Sequence, residues 1–269
     1  MAVESDFYEQ TELWGSTNDL DRERTDIRAS EMAKLLPPDV ESILDVGTGD
    51  GRLLAPLLRR LDHSPRVIGL DRSATALGHL EARGLEGVQA SADALPFADD
   101  AFDVIIACEI LEHLPQPVYE ATRRELARVA RRSVVITVPN RERMRAAEID
   151  CALCGCRYNR RRHLRRFELA AFEDLLDGFS VAGSAEFGHH TRIYPRRARQ
   201  SLERHGVLGV HDAPECPQCG NPHGRRVGTS DDVVATGGSD RTTDRYWRFR
   251  QLVPAQRQPY WLGVRLDQD

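Results

Sequence analysis

Residues 43–51 read Ile43-Leu44-Asp45-Val46-Gly47-Thr48-Gly49-Asp50-Gly51, and the reading of this stretch decides the fold. An apolar run ends in an acid and then passes into three glycines at alternate positions. Gly47, Gly49 and Gly51 let the backbone turn tightly and approach a ligand with no Cβ in the way. A dinucleotide-binding fingerprint needs G-x-G-x-x-G, but its third glycine position is Arg52, and no P-loop lysine follows. NAD, FAD and ATP on a P-loop are therefore disfavoured.

Outward from this loop the chain alternates short β-rich apolar runs with helical patterns. The periodicity predicts strands at 42–46, 66–70, 87–90, 102–108 and 133–138, and helices over 52–61, 73–83 and 117–130. Pro56 lies inside the first of these helices and predicts a kink there. Nearly continuous apolar strands separated by helices imply a parallel sheet covered on both faces. Such sheets place their sites at the carboxyl ends of the strands, so the residues after each strand carry the information.

Composition narrows the class. Hydrophobic residues make up 41% of the 269, enough for a packed core, so disorder of the whole chain is excluded. No run approaches the ~18 apolar residues of a membrane span, and the first ten residues lack a basic-then-apolar signal, which predicts a cytoplasmic protein. The net charge of −5 hides an asymmetry: residues 1–140 carry 15 Lys+Arg against 25 Asp+Glu, whereas 141–269 carry 22 against 17. The two halves have different electrostatic jobs.

The second strand ends in Asp71, followed by Arg72. A carboxylate there can accept both hydroxyls of a ribose; the plainer reading is a helix N-cap. After the third strand come Asp93 and Ala94, an acid and a backbone amide able to read the edge of an adenine. Cys108 closes the fourth strand and reads as a small buried residue lining a cleft.

ILDVGTGDG, VIGLD, ADALPFADDAFDVIIACEILEHL and VVITVPN stand in the order and spacing of a class I S-adenosylmethionine (SAM)-dependent methyltransferase of the type 11 kind. The resemblance covers roughly residues 41–140, and FYEQTELWG near the start resembles that family's lead-in. It implies a Rossmann-like α/β fold with a seven-stranded sheet, six strands parallel and the last antiparallel. It further implies that Asp45, Gly47, Thr48, Gly49 and Gly51 hold the methionine part of SAM, Asp71 and Arg72 the ribose, and Asp93 with Ala94 the adenine, with Cys108 lining the cleft. Thr48 stands where the family commonly has cysteine.

The second half adds Cys151-Ala-Leu-Cys154-Gly and Cys216-Pro-Gln-Cys219-Gly. Two C-x-x-C-G knuckles suit tetrahedral Zn²⁺, and four thiolates leave no open position for water, so the ion is expected to be structural. Redox C-x-x-C pairs are the alternative, and Cys156 or His163 can stand in for a ligand. Residues 166–177 read as a helix, 179–187 as a strand and 260–266 as the last strand. The knuckles thus fall in two insertions that leave the sheet on its catalytic face, and one zinc ion is expected to join them as a cap. The expected layout is a lead-in or lid over 1–40, a SAM-binding core over 41–150 and knuckle insertions at 151–166 and 189–258. Residues 167–188 return to the core as helix and strand six, and 259–269 form the last core strand. Residues 229–243 read as a surface loop of the cap.

The cap is rich in arginine: Arg157, Arg160, Arg161, Arg162, Arg165 and Arg166, then Arg192, Arg196, Arg197 and Arg199. Such clusters beside a cofactor pocket favour an anionic acceptor such as a nucleotide-linked sugar or another metabolite, against the plain alternative of a solvated surface. Nucleic acid is the second reading of the same arginines. Aromatic residues make up only 6% of the chain and the pI is near 6.0, both poor for RNA binding. A non-catalytic cofactor-binding scaffold is the third reading. For a general base the candidates are His113, Glu109, Asn140, His163 and the pair His189-His190. His113 is preferred for its position after the fourth strand and its pKa range; the plainer reading makes E-H-L a helix start. Glu109-x-x-Glu112-His113 also resembles the metal cluster of small-RNA 2′-O-methyltransferases.

Overall fold

The computed structural model describes residues 9, 14, 19–151, 153–159, 161–193, 215–220, 224–225 and 256–269. The expected loop at 229–243, Arg160 and the arginines at 196, 197 and 199 lie outside the described residues, as does the side chain of Arg192. The chain divides into two compact units: 1–142 with 164–189 and 260–269, and 143–163 with 190–259.

The first unit is built on strands β1 (Ser42–Val46), β2 (Arg66–Asp71), β3 (Glu86–Gln89), β4 (Phe102–Cys108) and β5 (Ala130–Pro139). Later in the chain come β8 (Phe179–Ile193) and β10 (Gln256–Gln268). They form one sheet in the order β3-β2-β1-β4-β5-β10-β8, with β10 antiparallel to β5. The order reverses at β1, and the carboxyl ends of β1 and β4 adjoin, the place where open α/β sheets put their ligands.

Alternation along the strands supplies two cores. Leu44, Val46, Ile105, Ala107, Val134 and Ile136 face one side, where helix α4 (Gln116–Val129) contributes Leu126 and Val129. Ile43, Val104, Ile106 and Val135 face the other, under helix α1 (Asp19–Leu35). Ala29, Met32 and Leu36 of that segment recur at helical spacing and are buried.

The other two helices of this unit are α2 (Leu54–Leu58) and α3 (Ala74–Glu81). Helix α2 is shorter than expected. Pro56 falls in its first turn, where the missing N–H costs nothing, so the proline starts the helix rather than kinking it. The expected helix over 166–177 is only a 3₁₀ turn, Leu169–Phe172. Its approach is held extended, because Asn140 bridges Phe167 and the N–H of Arg141 donates to the Phe167 carbonyl. Phe172, Leu175 and Leu176 are nevertheless buried, so the apolar pattern reports burial rather than helix.

Within the second unit, β6 (Glu148–Cys151) pairs antiparallel with β7 (Arg157–Asn159) and with the short β9 (Gly224–Arg225). Ile105 is fully buried in the centre of the first core. We predict that Ile105→Ala lowers stability by about 2–5 kcal/mol through lost contacts and the cavity left behind, measured by urea denaturation.

Candidate active site at the strand ends and a cysteine cluster

The loop after β1 is fastened to the end of β2. The N–H groups of Gly47 and Thr48 both donate to the Leu70 carbonyl, at 2.8 and 3.1 Å. The next N–H, that of Gly49, donates to Asp71 Oδ2 at 2.9 Å, and the N–H of Ser73 donates to Oδ1 at 2.9 Å. Gly47, Gly49 and Gly51 all adopt positive φ (75°, 57° and 70°), which strains any residue with a Cβ. A side chain at Gly47 would also meet Ile110, and one at Gly49 would meet the ring of Trp14.

Asp71 does not cap helix α3; Ser73 does, its hydroxyl accepting from the N–H of Ala76. Glu9 covers the same helix end, accepting from the N–H groups of Ala74 and Thr75. Asp71 thus organises the loop through backbone donors on both of its oxygens. Its carboxyl is held above the usual range by burial, despite its backbone donors. Asp45, 2% exposed, is pushed up to about 6 by burial. The Thr48 hydroxyl opposes that shift, the Asp71 charge adds to it, and the Arg28 guanidinium opposes it.

The remaining predicted residues are distributed as follows. Arg72 is exposed, and its carbonyl accepts from Gln89 Nε2. Asp93 accepts the Ser91 hydroxyl, and the Ala94 N–H is taken up by a turn onto the Ser91 carbonyl. The Cys108 thiol, pushed far up by burial, packs against Met32 with sulfur–sulfur distance 3.3 Å. His113 ends a 3₁₀ turn, Leu111–His113, and is half-buried.

Several residues at the site carried no decisive sequence signal. Arg28, on α1 beside its buried stripe, lies over the ring of Trp261 at 5.4 Å. Trp261 donates from Nε1 to Glu109 Oε2 at 3.0 Å. His189 stacks on Tyr260 at 4.7 Å and meets Trp261 edge-on. A basic residue bordering an apolar stripe was a usable signal for Arg28. Nothing in the last strand's alternation distinguished Trp261.

In the second unit Cys151, Cys154, Cys216 and Cys219 gather with their sulfurs within 4.8 Å of one another. Cys151 Sγ lies 3.6 Å from Cys219 Sγ, and Cys154 Sγ lies 3.7 Å from Cys216 Sγ. A disulfide needs about 2.05 Å, whereas thiolates around tetrahedral zinc, each about 2.3 Å from the ion, sit about 3.8 Å apart. The two knuckles fold alike: Gly155 donates to the Cys151 carbonyl and Gly220 to that of Cys216, both at positive φ. Neither Cys156 nor His163 belongs to this sulfur set.

Four of the described arginines around the first knuckle have partners. Arg157 pairs with Asp150, Arg162 donates to the Glu215 carbonyl and Arg166 pairs with Glu168. Arg165 donates to the carbonyls of Leu111 and Leu114 and lies 3.8 Å over the Tyr119 ring. These four arginines thus have partners within the protein.

Comparison with known proteins agrees with this geometry. Residues 43–133 match a family model described as a methyltransferase domain. An uncharacterized methyltransferase of Mycobacterium leprae is 40% identical over 85 residues, 30% of each chain, so the chain spans under a third of that relative's length. The phosphatidylethanolamine N-methyltransferase of Cereibacter sphaeroides is 35% identical over 106 residues, 36% of this chain and 49% of that one. In overall fold the chain is similar to a SAM-dependent methyltransferase of Archaeoglobus fulgidus, with TM-score 0.52, 14% identity and coverage of 92% of this chain and 94% of that one. The fold is that of the Rossmann-like methyltransferases.

Burial of Asp45 has a measurable consequence. Its folded pKa of about 6 exceeds the ordinary 3.8, so the folded chain holds this proton longer than the unfolded one. Stability should therefore fall as pH rises from about 4 to 6 and then level off, by on the order of 2–3 kcal/mol from this residue. Denaturation across pH should show that segment in the wild type and not in Asp45→Asn.

Proposed function

We propose that the chain is a SAM-dependent methyltransferase acting on a small acceptor, with structural zinc in its second unit. The observation that carries this reading is the bond from Gly49 N–H to Asp71, which joins the glycine loop and the second strand's acid into one cradle. The donor set fits the cofactor: Asp45 offers a charge for the methionyl ammonium, and Asp71 offers acceptors for ribose hydroxyls. Asp93 lies in the turn after β3, on the adenine side. SAM supplies an electrophilic methyl group when bound. The chain's part is to orient it at the strand ends and exclude water, since in-line transfer draws most of its rate from positioning.

The acceptor is left to the elements beyond β4. The pairing of Arg157, Arg165 and Arg166 withdraws their support for an anionic acceptor, so a small molecule is proposed without that restriction. His113, half-buried just after β4, remains a candidate base, and Cys108, kept as a neutral thiol, a wall residue. Zinc fits the four sulfurs by their spacing and matched knuckles, with Cys151, Cys154, Cys216 and Cys219 as ligands.

Two measurements test this reading. Calorimetry with S-adenosylhomocysteine should show binding, weakened in Asp71→Ala by on the order of 2–3 kcal/mol, the cost of unmade hydrogen bonds in a partly desolvated cleft. Unchanged affinity removes Asp71 from the site. Metal analysis should find one zinc ion per chain, and Cys216→Ser should release it and loosen the second unit while S-adenosylhomocysteine binding survives. Purified protein without zinc, its thiols reacting freely, counts against the metal. Labelled SAM should transfer its methyl group into a metabolite fraction; label in bulk RNA would favour the nucleic-acid reading instead.

A further inference from the structure

Glu109 follows β4 directly and holds φ at +53°, a conformation that residues with a Cβ rarely adopt and that concentrates at functional sites. Its main chain is fixed by donation from its N–H to the Thr137 carbonyl at 2.9 Å. Its side chain is fixed by Trp261, whose Nε1 donates to Oε2 at 3.0 Å. Trp261 pairs with Pro139 at the carboxyl end of β5, so this carboxylate is held at the strand ends, between β4 and β10.

The acids form a line across the sheet. The Asp71 charge acts on Asp45, and those of Asp45 and Glu109 both act on the Cys108 thiol between them. Along β2, β1 and β4 the order is thus Asp71, Asp45, Cys108, Glu109. The residue after Glu109, Ile110, touches the glycine loop at Gly47. If the ribose lies at Asp71 and the methionyl ammonium at Asp45, the next acid faces the end where an acceptor meets the methyl group.

A second carboxylate marks the same place. Glu112 is fully buried, and neither of its oxygens has a hydrogen-bond partner among the described residues. Burial first, and the charge of Glu109 second, push its pKa well above the usual carboxylate range.

Resting on the methyltransferase reading, we infer that Glu109 is the acceptor-binding carboxylate: it accepts the hydrogen bond of the N–H or O–H group to be methylated. The aromatic wall of Trp261, Tyr260 and His189 stands beside it on the side away from the cofactor loop. The acceptor class is an amine or a hydroxyl compound, as opposed to a thiolate or a carbon nucleophile, which bring no such hydrogen.

The test needs no knowledge of the acceptor. Sinefungin carries an amine on carbon where SAM carries its methyl sulfonium, so it places an ammonium where the methyl group meets the acceptor. Charge-assisted hydrogen bonds are about twice as strong as neutral ones, and we expect the wild type to prefer sinefungin over S-adenosylhomocysteine by about tenfold or more. Glu109→Gln should abolish that preference while leaving S-adenosylhomocysteine affinity within about twofold. Trp261→Phe, which frees the carboxylate without removing it, should reduce the preference partway, and it serves as the readout if the Gln variant does not fold. A wild type without the preference, or a Gln variant that keeps it, overturns the proposal, as does a methylated product carrying its new group on sulfur or carbon. A wild type that binds neither compound defeats the methyltransferase reading itself.

Discussion

Three consecutive N–H groups, of Gly47, Thr48 and Gly49, are spent on the end of β2. The site depends on this expenditure. Backbone donors in a loop must be satisfied, and here they are satisfied by one carbonyl and one carboxylate of the neighbouring strand. The loop is thereby rigid before any ligand arrives, and Asp45 and Asp71 are drawn close enough that the charge of one raises the pKa of the other. A preorganised cleft loses less on binding than one that must rearrange.

Much of this was legible in the sequence. The strands from β1 to β5, the glycine loop and the acid ending β2 follow from periodicity and residue type, because a parallel sheet buried on both faces leaves few alternatives. The matched knuckles read equally directly, since two C-x-x-C-G motifs have few other uses. Burial pattern and local conformation parted company at 166–177, where apolar spacing looked helical but the backbone was already engaged by Asn140 and Arg141. Long-range geometry was the part the sequence could not carry. That Glu109 and Trp261 meet, or that Arg28 lies over the same ring, depends on the register of β10 against β5, which local propensity does not encode.

The described arginines of the first cluster show that composition alone does not assign a guanidinium its partner. Guanidinium groups near a knuckle invite an anionic ligand, yet Arg165 is bound to two carbonyls of the turn that carries Glu112 and His113, and it stacks on Tyr119. A planar fork of donors is as well suited to fixing a loop as to holding a phosphate. Only the partners distinguish the two uses.

The stacking of His189 on Tyr260 has a consequence for how such a protein can vary. These two side chains stand on β8 and β10, neighbouring strands of one sheet. The chain between them therefore starts and ends on adjacent strands. Lengthening such a loop costs only about 0.6 kcal/mol per doubling. The sheet therefore sets little limit on how many residues separate β8 from β10, whereas Cys216 and Cys219 tie the intervening chain to Cys151 and Cys154.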